Sequence, residues 1–200
     1  MTLVIATTNP GKLREIVPLL EGVTPALVSL SSFPPIPEPA ETGRTFAENA
    51  RLKAIYYAQA TGLPCVADDS GLEVAALDRA PGVHSARWYG EDYSVKFRKI
   101  FELLRARGTR ESPARFVCAV ALADRGQVLA ETEGVVDGQI SHEPRGTKGF
   151  GYDPIFFYPP FGSTLGELDL ERKASVSHRG RAFSALRTRL LAEPDLLRHH

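Results

Sequence analysis

Hydrophobic positions along the chain alternate between two spacings, and each change marks the passage from a strand to a helix. TLVIAT, residues 2–7, is a short apolar run rich in β-branched residues, as expected of a buried strand. It stops at Asn9-Pro10, an N-cap followed by a first-turn proline. Leu13, Ile16, Val17 and Leu20 then recur at helical spacing, and Pro18 is expected to kink or shorten that helix. PALVSL predicts a second strand, and the clustered prolines of SSFPPIPEPAETG predict a stiff extended loop. Thr45 and Glu48 have capping-box spacing at the start of TFAENARLKAIYYAQATG, a helix expected to end near Gly62.

PCVAD is the next predicted strand, and it places Asp68 and Asp69 at its expected C-terminal end, where open α/β sheets bind ligands. Residues 94–107 predict an amphipathic helix with Phe97, Ile100, Phe101 and Leu104 on one face and Gly108 behind it. ARFVCAVALADRGQVLAETEGVV predicts two long strands around an Asp-Arg-Gly-Gln turn, an antiparallel hairpin that makes the sheet mixed. The glycine-rich loop PRGTKGFGYDPIF follows, and two helical segments joined at ASVSHRGRAFSAL close the chain. No internal repeat or disordered linker interrupts this order.

Two hundred residues with 43% hydrophobic content make one large domain or two lobes sharing a cleft. The 24 basic and 24 acidic residues balance, so no global field draws the protein to nucleic acid or an anionic membrane. A local basic pocket for a small anion remains open. Cys65 and Cys118 each sit inside an apolar run with no C-x-x-C spacing, as buried thiols in a reducing compartment do. MTLVIATTNPGK lacks the features of a signal peptide, and no run approaches the ~20 apolar residues of a membrane span, so a cytoplasmic protein is expected. His199 and His200 are assigned no role.

The chemistry-bearing stretches are each ambiguous alone. In VADDSGLEV, Asp68 and Asp69 repel each other unless water or a cation lies between them. Asp-Ser-Gly is good turn chemistry, and oxygen ligands at a strand end also suit Mg²⁺ with substrate phosphates completing its shell. ATTNPGK sets an N-cap and Lys12 at a strand-to-helix turn that attracts phosphate, although it lacks the Walker A pattern; a plain capped turn is the alternative. GFGYDPIF is either a hinged loop with a core aromatic or a platform on which Phe150 stacks a base. SHRGR puts Ser177, His178, Arg179 and Arg181 at a helix start, where the dipole disfavours cations; a solvated basic helix end is the alternative.

In this order, T-x-N-x-x-K, ETG with TFAENA, ADDSGLEV, PGVHSAR, GFGYDPIF and K-x-x-x-SHR resemble the inosine triphosphate pyrophosphatase family, from Thr7 to about Ala182. The resemblance implies an α/β fold with a long mixed β-sheet flanked by helices and two lobes around a central substrate cleft, residues 1–200 forming a single pyrophosphatase domain. It also implies a homodimer and Mg²⁺-dependent hydrolysis of ITP, dITP and XTP to the monophosphate and pyrophosphate. By position, Thr7, Thr8, Asn9, Pro10, Gly11 and Lys12 would hold phosphates, and Ser70 would touch substrate. Asp69 would be the catalytic acid/base, with Glu41, Asp69 and Asp68 as metal partners and Glu38 as the second choice for the glutamate. Phe150, Gly151, Tyr152, Asp153, Lys173, His178 and Arg179 would surround base and sugar, with His178 or Arg179 donating to a 6-oxo group. Thr8 stands where relatives often carry Gly. Two other readings compete: a pyrophosphatase for standard or pyrimidine nucleotides, and a nucleotide sensor without turnover.

Overall fold

The computed structural model describes residues 2–24 and 26–197. Pro25, with which the predicted second strand begins, and His199 and His200 lie outside the described residues. Strand β1 (Thr2–Ile5) leads into helix α1 (Pro10–Leu20), and β2 (Ala26–Ser29) follows. Asn9 caps α1 as predicted, its side chain accepting from the N–H groups of Gly11 and Lys12, and the helix continues past Pro18 to Leu20. No regular element lies between Phe33 and Arg44. Helix α2 (Phe46–Thr61) starts at Thr45, whose hydroxyl accepts from Glu48 N, and ends at Gly62 in the left-handed region. The capping box is not reciprocal, because the Glu48 carboxylate accepts from Arg44 N, one residue before the cap.

Strand β3 (Cys65–Val74) is longer than predicted. Asp68 and Asp69 sit in its middle and not at its end, and Ser70 and Gly71 continue the strand without turning, which corrects both the strand boundary and the turn reading. An internal strand position tolerates two aspartates here because both find cationic partners, as set out below. Helix α3 (Tyr93–Ala106) is capped by Asp92, and β4 (Pro113–Asp124) and β5 (Gln127–Ile140) form the predicted hairpin. Arg125 and Gly126 both have positive φ, as a tight two-residue hairpin turn requires. Strands β6 (Phe156–Tyr158) and β7 (Ser163–Thr164) precede helices α4 (Leu170–Val176) and α5 (His178–Ala192).

Among the described residues the sheet has seven strands in the order β2-β1-β3-β4-β5-β6-β7. Strand β1 pairs in parallel with β2 and β3, whereas β6 pairs antiparallel with β5 and β7, so the sheet is mixed. The chain divides into two compact units, one of residues 1–69, 118–134 and 178–200, the other of residues 70–117 and 135–177. The first unit has its own core, in which Leu3, Ile5, Ile16, Leu20, Val66, Leu122, Phe183 and Leu186 are buried together. The second encloses Leu72, Val74, Ile100, Leu104, Phe116, Val136, Tyr152 and Phe156. Burial of this kind contributes on the order of 25 cal/mol per Å² of apolar surface removed from water. Each unit thereby holds its own polar side chains on a fixed frame.

Candidate active site

Asp68 and Asp69 project from opposite faces of β3, as neighbours on a strand must, and each carboxylate enters a different cluster of the first unit. Asp68 accepts from Lys12 Nζ, 3.0 Å from Oδ1, and from Arg179 Nη2, 3.2 Å from Oδ2. Arg179 also donates to Glu15 Oε2 at 2.7 Å, so α1 and α5 both send a side chain to this buried strand position. Burial pushes the Asp68 carboxyl up, but the Lys12, Arg179 and Lys53 charges outweigh it and hold the group far below the usual carboxylate range. Burial lowers Arg179, and the Asp68 and Glu15 charges more than offset it, so its guanidinium stays charged.

Asp69 faces α2. Its Oδ2 accepts from the Asn49 side-chain amide at 3.1 Å, and its Oδ1 accepts from Lys53 Nζ at 2.9 Å. Lys53 Nζ also lies 2.9 Å from Glu41 Oε1. Asn49 and Lys53 are one helical turn apart, so they present to Asp69 from the same face of α2. The ETG motif has a direct structural reason. Gly43 N donates to Asn49 Oδ1 at 2.8 Å, and a Cβ at Gly43 would come within 2.6 Å of that same oxygen. Burial raises the Asp69 carboxyl above its ordinary range and the Glu41 charge adds to this, with Lys53 opposing.

Among the described residues, no group of three or more His, Cys, Asp and Glu side chains gathers to hold a metal ion. Lys53 instead places a cation between two hard oxygen donors, Glu41 and Asp69. That donor set suits Mg²⁺, which takes one or two carboxylates and leaves the rest of its shell to water and substrate phosphate. Asp68, also expected at the metal, pairs with Lys12 and Arg179. Glu38, the second choice for the glutamate, accepts from Thr8 Oγ1 at 3.4 Å.

Thr7, Thr8 and Asn9 form the turn before α1, with Asn9 N donating to Thr7 Oγ1 at 3.1 Å. The N–H groups of Gly11 and Lys12, expected to meet phosphate, are both occupied by Asn9 Oδ1, and Pro10 has no N–H. The cationic contribution of this turn is therefore the Lys12 ammonium. His178 is the first residue of α5 and is buried in the first unit.

In the second unit, Asp153 organises the GFGYD segment. Its Oδ2 accepts from Phe150 N at 2.8 Å and from Lys173 Nζ at 2.5 Å, and that ammonium stands 4.8 Å from the centre of the half-buried Phe150 ring. Gly149 has φ +74°, and a Cβ there would collide with Asp153 Oδ2. Gly151 also has positive φ, and Ser70 is half-buried on β3. Tyr152, expected beside the base, is buried against Tyr93 and Phe97 with its hydroxyl donating to Ser85 O at 3.0 Å. The predicted residues thus fall into two sets. Lys12, Glu41, Asp68, Asp69, His178 and Arg179 belong to the first unit, and Phe150, Asp153 and Lys173 to the second.

Sequence reasoning missed Asn49, Lys53 and Glu15. The available signal was polar residues at helical spacing in positions that otherwise face a core: Glu15 and Asn49 are buried and Lys53 is half-buried. The Ham1 family model matches residues 3–189. A dITP/XTP pyrophosphatase of Geobacter sulfurreducens is 49% identical over 190 residues, covering 94% of this chain and 96% of that protein. One from Thermus thermophilus is 49% identical over 191 residues, with 93% and 90% covered. The structure of a HAM1 protein from Coxiella burnetii matches with a TM-score of 0.87 at 40% identity, covering 96% of this chain and 99% of that one.

Proposed function

The chain belongs to the Ham1 family, and from that premise we propose that it hydrolyses non-standard purine nucleoside triphosphates to the monophosphate and pyrophosphate. The observation that carries this reading is Asp69, a buried carboxylate fixed by Asn49 and Lys53 beside Glu41. The names of the relatives, dITP/XTP pyrophosphatases, supply the substrate class.

Asp69 accepts a proton from water as that water attacks the α-phosphorus, held in place for this by Asn49 and Lys53. The α-phosphorus to bridging-oxygen bond breaks, and pyrophosphate leaves. Lys12 meets the leaving phosphates as a point charge, exchanging part of its contact with Asp68 for them. Glu41 and Asp69 are the residues that would hold Mg²⁺, which when bound neutralises phosphate charge. Lys53 keeps the two carboxylates from repelling each other before substrate arrives.

Phe150 supplies the stacking face for the base, held by the Asp153 contact to its N–H. Of the two proposed donors to a 6-oxo group, Arg179 is engaged by Glu15 and Asp68, which leaves that role to His178. A donor there suits hypoxanthine and xanthine and mismatches the adenine amino group. We also propose that residues 1–200 act as a single pyrophosphatase domain, in a homodimeric cytoplasmic enzyme without a nucleic acid partner. Among the described residues, no helix is long and apolar enough to cross a membrane.

Asp69→Asn tests the assignment, because it keeps the shape and removes the base. Hydrolysis of inosine triphosphate should be lost while binding, measured by calorimetry, survives. Turnover at the parent rate would remove Asp69 from the mechanism.

A further inference from the structure

Lys96, on α3 in the second unit, is 0% exposed, yet both its hydrogen bonds run to main-chain carbonyls: Ser85 O at 3.1 Å and Ala86 O at 2.6 Å. The ammonium also stands 4.2 Å from the Tyr93 ring centre and 5.8 Å from that of Tyr152. Burial lowers the amine below the ordinary lysine range, with the Glu91 charge opposing. An ammonium in such a place is costly, and an apolar side chain of the same length would fill the same space. What the ammonium adds is a hold on two consecutive carbonyls.

Ser85 is a junction. Its carbonyl takes Lys96 and also the Tyr152 hydroxyl, while its own hydroxyl accepts from Leu72 N at 3.0 Å and donates to Gly82 O at 2.6 Å. Tyr152 immediately precedes Asp153, whose carboxylate holds Phe150 N and Lys173. The path from Lys96 to Phe150 therefore passes through Ser85 O, Tyr152 and Asp153. Every group on it lies in the same unit.

We propose that Lys96 is a positioning residue for purine binding: it fixes the Ser85 carbonyl that anchors Tyr152, and Tyr152 in turn sets the Phe150–Asp153 segment against the base. The inference rests on the reading of Phe150 as the base platform, and it adds a residue that touches neither substrate nor metal. Its effect falls on the nucleoside end of the substrate, with no contact to the Asp69 cluster needed.

The test is a double-mutant cycle of Lys96→Met and Tyr152→Phe, measuring KM and kcat for inosine triphosphate and inhibition by inosine monophosphate and by pyrophosphate. Lys96→Met should raise KM and the monophosphate inhibition constant about tenfold, with kcat within about threefold and pyrophosphate inhibition unchanged. Tyr152→Phe should show the same pattern, and the double variant should be no worse than the poorer single one, because both act through one carbonyl. Additive effects, an equal weakening of pyrophosphate inhibition, or a lowered Tm with unchanged KM would each overturn the proposal. If Lys96→Met does not fold, the isosteric Tyr152→Phe decides alone, and an unchanged KM rejects the anchor. Phe150→Ala run alongside separates the premises. No rise in its KM removes the base platform, whereas a rise there with parent-like Lys96→Met and Tyr152→Phe rejects only the positioning role.

Discussion

Asn49 donates its side-chain amide to Asp69 Oδ2 at 3.1 Å while its own carbonyl oxygen holds Gly43 N at 2.8 Å. One buried amide thus ties the loop before α2 to the carboxylate proposed as the base. Asn49→Leu keeps the bulk and removes both contacts. It should lower kcat by about 10–100-fold by releasing the carboxylate, the range seen for outer partners of catalytic groups. It should also cost about 1–3 kcal/mol of stability, because Gly43 N–H loses its acceptor. Steady-state kinetics and a urea titration read the two effects separately.

Asp68 is the centre of an ion cluster, with Lys12 spanning both carboxylate oxygens and Arg179 on Oδ2. Asp68→Asn removes the anion and leaves two cations facing a neutral amide, and breaking a buried pair in this way costs about 3–5 kcal/mol. Glu15 still holds Arg179, so the lower end of that range is expected. A denaturation midpoint that drops accordingly supports the structural role. An unchanged midpoint with weakened Mg²⁺ dependence would return Asp68 to the metal.

Lys12 is the cationic group of the first turn of α1, since Asn9 occupies the N–H groups of Gly11 and Lys12. Lys12→Ala should therefore weaken binding of triphosphate and pyrophosphate far more than binding of the monophosphate. Inhibition constants for the two products provide the check. Equal losses for both would take Lys12 off the polyphosphate.

Burial pushes the Cys65 thiol up to about 11, opposed by the Thr61 hydroxyl and supported by the Asp124 charge, and burial also raises Cys118, with Asp68 adding to it. At pH 8 the reactive thiolate of Cys65 is a minor species, and its fraction grows only as the pH approaches that value. Ellman's reagent should find no reactive thiol in the native protein at pH 8 and both after denaturation.

The helices and the hairpin were legible because local rules agree with their tertiary setting. Asn9-Pro10 caps α1, Gly62 ends α2, and Arg125-Gly126 turns the hairpin. Strand β3 was misjudged because Asp68, Asp69, Ser70 and Gly71 are poor strand formers, and the partners that allow them are distant in sequence: Lys12, Asn49, Lys53 and Arg179. The same separation hid Asn49 and Lys53 from the site. Arg179 and Tyr152 were placed by motif with the base, and their contacts to Glu15, Asp68 and Ser85 O are ones that no local pattern reports.

The product released, and the nucleotide it comes from, distinguish attack at the α-phosphorus from every other reaction at this site. The purified protein, supplied with Mg²⁺, should be given inosine, xanthosine, guanosine and adenosine triphosphates in parallel in ¹⁸O-labelled water, and the products identified by mass. Inosine and xanthosine triphosphates should turn over far faster than the other two, yielding pyrophosphate and a monophosphate that carries the label. Orthophosphate release, label in the pyrophosphate, or equal rates on adenosine triphosphate would contradict the proposed function.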